Sequence, residues 1–115
     1  MTPSPFAPES LASLPPLPGV RLAAAEAGIR YKNRKDVLLV LLPEGTQAAG
    51  VLTRSKTSSA PVDWCRRQLA HGRARALVVN SGNANAFTGM RGWATVETTA
   101  SLAAQAAGCD PCDRF

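Results

Sequence analysis

Aromatic residues are scarce in this 115-residue chain: three Phe, two Trp and one Tyr, 5% of the total. Large rings therefore cannot fill its interior, and the plentiful alanine and glycine point to close helix–sheet packing instead. Long apolar runs are lacking too. The longest covers residues 37–42, against the ~20 residues a helix needs to cross a bilayer, so no membrane span is expected. Residues 1–8 contain no basic residue ahead of an apolar segment, so no secretory signal is expected and a cytoplasmic location is the default.

There is a single histidine, His71, with no acidic neighbour; a helix-end or surface role suits it better than catalysis. The three cysteines, Cys65, Cys109 and Cys112, are an odd number without a secretory signal, which argues against a disulfide framework. Cys109 to Cys112 form a CxxC, but a zinc site needs about four ligands and only Cys65 and His71 remain to complete one. The pair also follows an expected helix, whereas a thioredoxin-like pair should open one after a strand. No metal site is expected. Acidic residues are outnumbered, 8 against 13 basic, for a net charge of +5. The cations are scattered except at residues 30–35, between two expected strands. That cluster reads as a solvated turn, and no nucleic-acid partner is expected.

What the chain does contain fits one modest domain. Residues 1–18 hold six prolines and read as a leader or wrapping arm; residues 19–115 form the folded unit. Strands are expected at 20–29, at 36–42 and at 46–53, the last after a Pro43-Glu44-Gly45 turn. The Val/Leu run at 36–42 has the pattern of a strand covered on both faces. A helix is expected from Pro61 to about Gly72, with Asp63 near its positive end and Trp64, Cys65 and Leu69 on its buried face. A short buried strand follows at 76–79. The second helix spans about 90–107: Trp93, Val96, Ala100, Ala103 and Ala107 fall at three- and four-residue steps, and Gly108 suits a left-handed cap. The order β-β-β-α-β-α places the chain in the α+β or layered α/β class.

The densest chemistry lies at residues 75–89, RALVVNSGNANAFTG. An apolar strand runs directly into Asn80, Ser81, Gly82, Asn83 and Asn85. These side chains donate and accept hydrogen bonds without carrying charge, and strand ends that pass into a helix often hold ligand chemistry. The same composition also suits a plain turn. The five residues are the candidates for supporting a site.

The NSGNANAxTG segment strongly resembles the bifunctional ornithine acetyltransferase / glutamate N-acetyltransferase family of cyclic arginine biosynthesis. So do residues 48–53 (AAGVLT), residues 59–62 (SAPV), the opening PGVRLAA with AGIR, and Gly92 with the alanine-rich stretch to Gly108. The likeness is collinear from about residue 17 to 108. It implies a larger self-cleaving acetyltransferase fold, of which this chain resembles the N-terminal part of the α chain. It implies transfer of acetyl from N-acetylornithine to glutamate, and in some members from acetyl-CoA, through an acetyl-Thr intermediate. No other cofactor is implied. A β chain from the same precursor and an α2β2 heterotetramer are implied as the assembly. The family's oxyanion-hole Thr-Gly pair and nucleophilic Thr have no counterpart in residues 1–115. Thr53, Thr57, Thr88, Thr95, Thr98 and Thr99 stand in other contexts, so no catalytic residue is expected in this chain, and the chain alone is expected to be inactive. The alternative is a small non-catalytic binding or interaction module.

Overall fold

The computed structural model describes residues 4–109. It contains β1 (Arg21–Ala25), β2 (Val37–Leu41), α1 (Ala60–Gln68), a 3-10 turn (Leu69–His71), β3 (Ala76–Asn80) and α2 (Gly89–Ala107). The strands form one antiparallel sheet in the order β1-β2-β3. The α+β class therefore stands, with one strand fewer than expected. Residues 4–18 lie in neither helix nor strand. Among the described residues no helix is long and apolar enough to cross a membrane.

The missing strand is the one expected at 46–53. That segment makes a single bridge, Gln47 to Arg73, supported by Ala48 N–H to Gly72 O and Ala74 N–H to Thr46 O. The reason is topological. A meander would need a free edge of β2, but β1 and β3 occupy both edges. Strand 20–29 is also shorter than expected. It ends at Ala25 because the chain turns away through Gly28, at φ 68°, towards Asp36.

Pairing register divides the sheet cleanly, because side chains alternate between faces. Ala23, Leu39 and Val78 share one face with Val37, Ala76 and Asn80. That face receives the helices, and Ala76 is fully buried there. Leu22, Val40 and Leu77 share the other face with Ala24, Leu38 and Val79. Here Leu22 is 70% exposed, Val79 47% and Leu77 38%. The expectation that β2 is covered on both faces, and that 76–79 is wholly buried, is therefore corrected. Every residue of β2 is half-buried, because only one helical layer packs on the sheet. Such a patch promotes association. The purified chain alone is expected to self-associate, with Leu22→Lys and Leu77→Lys raising the monomer fraction. Sedimentation would check this; a monomeric wild-type chain with a sharp, reversible melt would contradict it.

The helices follow the sequence closely. In α1, Pro61 sits in the first turn with Asp63, and Trp64 is buried as expected. Gln68 is buried beside it, unforeseen. In α2, Gly92, Ala100, Ala103 and Ala104 form the buried stripe. The small side chains let α2 lie close to its neighbours, and Trp93 meets Trp64 with ring centroids 5.9 Å apart. Gly108, at φ 61°, closes the helix by donating its N–H to the carbonyls of Ala104 and Gln105.

Candidate functional site

The strand β3 extends one residue past the apolar run, to Asn80, and its register puts Asn80 on the helix-facing side. The loop 81–88 then folds back on itself. Asn80 donates its side-chain amide to the carbonyl of Asn83 at 3.1 Å. The Asn83 side-chain oxygen accepts the Asn85 N–H at 3.2 Å. The Asn85 carbonyl accepts the Thr88 hydroxyl at 3.0 Å and the Ala60 N–H at 3.4 Å, tying the loop to the start of α1. Asn85 adopts φ 46°, a left-handed conformation that asparagine tolerates better than most residues.

These turns bring Asn80, Asn83 and Asn85 to one cavity of about 320 Å³ between the sheet and both helices. Val37, Trp64, Val78 and Val96 supply apolar wall, and Thr95, Thr99 and Cys65 add weakly polar groups. Burial pushes the Cys65 thiol up from its ordinary pKa, which keeps it protonated at neutral pH. No described residue lining the cavity carries a charge. Apolar walls with a few converging amides are the chemistry of a binding or orienting pocket.

Two of the five candidate residues do not line it. Ser81 donates its backbone N–H to the Asp36 carbonyl at 2.8 Å, and its hydroxyl is buried without a partner. Gly82, at φ 99°, lies against the 26–35 turn: a Cβ there would come 2.8 Å from the Cβ of Arg30. His71 ends the 3-10 turn and is exposed. Cys109 is half-buried, and Cys112 lies outside the described residues.

Asp36 is the residue that sequence reading missed. It is only 4% exposed. Its carboxylate accepts the N–H of Ala27 at 2.6 Å and of Ile29 at 2.7 Å. Its backbone binds Ala25 on one side and Ser81 on the other. One residue thus joins the following turn, through its side chain, to the end of β1 and the Asn loop, through its backbone. The Ala27 N–H, then that of Ile29, holds the Asp36 carboxyl below its ordinary pKa. A lowered folded-state pKa contributes stability above the unfolded value, and the contribution is lost as pH falls through the folded one. Melting temperature is therefore expected to fall as pH drops below about 4, the ordinary aspartate range. Asp36→Asn should melt earlier at neutral pH and lose part of that acid dependence. An unchanged neutral melting temperature would refute the role.

A model described as the ArgJ family matches residues 21–115. The arginine biosynthesis bifunctional protein ArgJ of Bradyrhizobium diazoefficiens is 59% identical over 112 residues, covering 97% of this chain and 27% of that protein. The protein of the same description from Agrobacterium fabrum is 57% identical, with the same coverage. Among solved structures, ornithine acetyltransferase complexed with ornithine, from Mycobacterium tuberculosis, aligns at TM-score 0.75 and 36% identity over 84% of this chain and 53% of that one. The ArgJ structure from Bacillus halodurans aligns at TM-score 0.78 and 28% identity, over 84% and 51%. The chain spans about a quarter of the length of these curated relatives.

Proposed function

Because this chain belongs to the ArgJ family, we propose that it works as the front part of an acetyltransferase of arginine biosynthesis. The complete protein would move acetyl from N-acetylornithine to glutamate, and would also accept acetyl-CoA where the second activity is present. The observation that carries the reading is the 59% identity, sustained over 97% of the chain. The solved relative in complex with ornithine supports an amino-acid substrate of this kind. The coverage figures support a two-chain assembly. This chain covers about twice as large a share of the solved chains as of the curated relatives, as expected if a precursor yields two shorter chains. We place the complete assembly, an α2β2 heterotetramer, in the cytoplasm.

In this reading the reaction is ping-pong. A threonine hydroxyl on the second chain attacks the acetyl carbonyl, ornithine leaves with its amine, and an acetyl-Thr ester remains. The glutamate amine then attacks that ester and releases the threonine. The present chain contributes the Asn80–Asn83–Asn85 cluster, which braces or orients a carbonyl through uncharged donors. The test is mass spectrometry of the family-length protein, acid-quenched after N-acetylornithine is added. One acetyl group should appear on a threonine outside residues 1–115. Acetyl found only within residues 1–115, or none at all, would refute the reading.

A further inference from the structure

The hydrogen bonds inside the Asn loop are local. Asn80 to Asn83, Asn83 to Asn85 and Asn85 to Thr88 each span two or three residues. They shape the loop but cannot place it against the cavity, which takes contacts from outside it. On the β2 side those contacts come from Asp36 and the turn it holds. Its carbonyl accepts the Ser81 N–H at 2.8 Å. That bond extends the β2–β3 pairing one residue beyond Val37 and Asn80, to the point where the loop departs. Its buried carboxylate accepts the N–H groups of Ala27 and Ile29, which seats Ile29 in the wall of the cavity that Asn80, Asn83 and Asn85 also line. The next two residues, Arg30 and Tyr31, press on Gly82: a Cβ there would come 2.8 Å from the Arg30 Cβ and 3.7 Å from the Tyr31 ring. The guanidiniums of Arg30 and Arg34 lie 5.6 and 4.8 Å from the centre of that ring, which stiffens the turn by cation–π attraction.

We propose that Asp36 is a positioning residue for acetyl transfer, acting through the 26–35 turn and Gly82 to set where the Asn80 and Asn83 amides point. The proposal rests on the acetyl-transfer reading above. Asp36 does not itself line the cavity. A carboxylate suits its task better than an amide. It is acceptor-only and takes both N–H groups at once, whereas asparagine accepts one and turns its NH2 against the other. Misplacing an orienting group by about 1 Å can cost roughly 100-fold in rate. Substrate affinity should respond far less. N-acetylornithine and glutamate both carry charge, and among the described residues the cavity offers them no charged partner, so their charged groups must be held elsewhere.

The experiment measures N-acetylornithine–glutamate exchange by the family-length protein and by its Asp36→Asn, Gly82→Ala and double variants. The kcat of each is normalised to the acetyl-Thr trapped by acid before glutamate is added. Each single variant should lose at least about tenfold in kcat, with KM for both substrates within about threefold of wild type. The double variant should lose less than the product of the two, because both act through one contact. Thr46→Val, which deletes a 2.7 Å hydrogen bond to the Pro43 carbonyl past the far end of β2, should leave both normalised constants unchanged. A merely structural Asp36 would lower melting temperature and yield but leave normalised kcat intact, and that result would overturn the inference. So would a rise in KM at constant kcat, or losses that multiply. If Asp36→Asn does not fold, Gly82→Ala decides alone, since it leaves the carboxylate in place. Wild-type exchange with unimpaired variants sinks the inference and leaves the acetyl-transfer reading standing; absence of wild-type exchange sinks both.

Discussion

The purified 115-residue chain is expected to transfer no acetyl group from N-acetylornithine to glutamate above background. Covalent catalysis needs a nucleophile and a base within reach of it. The cavity beside the Asn loop presents amides, hydroxyls and a protonated thiol, and no charged group among the described residues. Thr95 and Thr99 reach it, but each donates its hydroxyl to a carbonyl one helical turn back, to Arg91 at 3.0 Å and to Thr95 at 2.8 Å. Hydroxyls donated in this way, with no base beside them among the described residues, are poorly placed to attack. Steady-state assay of the refolded chain checks the expectation; turnover clearly above background would end it.

In the family-length protein, Asn80→Leu and Asn83→Leu are expected to lower turnover or self-cleavage by roughly 100-fold, the scale of losing one transition-state donor. Their cost in stability should be near the low end of about 0.5–1.5 kcal/mol for a hydrogen bond. The bonds that Asn80 and Asn83 make within the loop are exposed, so water can replace them in the folded state. Rate and melting temperature measured on the same variants separate the two effects. Variants that melt early yet turn over normally when folded would reduce the loop to a structural turn.

The parts of the fold that local pattern controls were legible in the sequence. Helix α2 was expected at 90–107 and spans Gly89–Ala107, because alanines at three- and four-residue steps and a terminal Gly108 leave little ambiguity. The strand at 46–53 failed for a non-local reason. Its pattern permits extended structure, but whether a neighbour is free to pair depends on where β3 goes, which no local window contains. Asp36 was hidden for a similar reason. An aspartate at the start of a strand reads as turn chemistry, and only the folded backbone brings two amide groups to its carboxylate. The Asn loop was visible as a unit. Which of its residues reach the cavity was not, because the backbone dihedrals of Gly82 and Asn85 decide where each side chain points.

The most direct test of the central claim, that this chain is a necessary but insufficient part of an acetyltransferase, is an add-back assay. The chain and the remainder of a family-length protein would be expressed separately and together, and N-acetylornithine–glutamate exchange measured in each case. Exchange should appear only when both are present, with the chain also becoming monodisperse as its open sheet face is covered. Exchange by the chain alone, or full exchange by the remainder without it, would contradict the account.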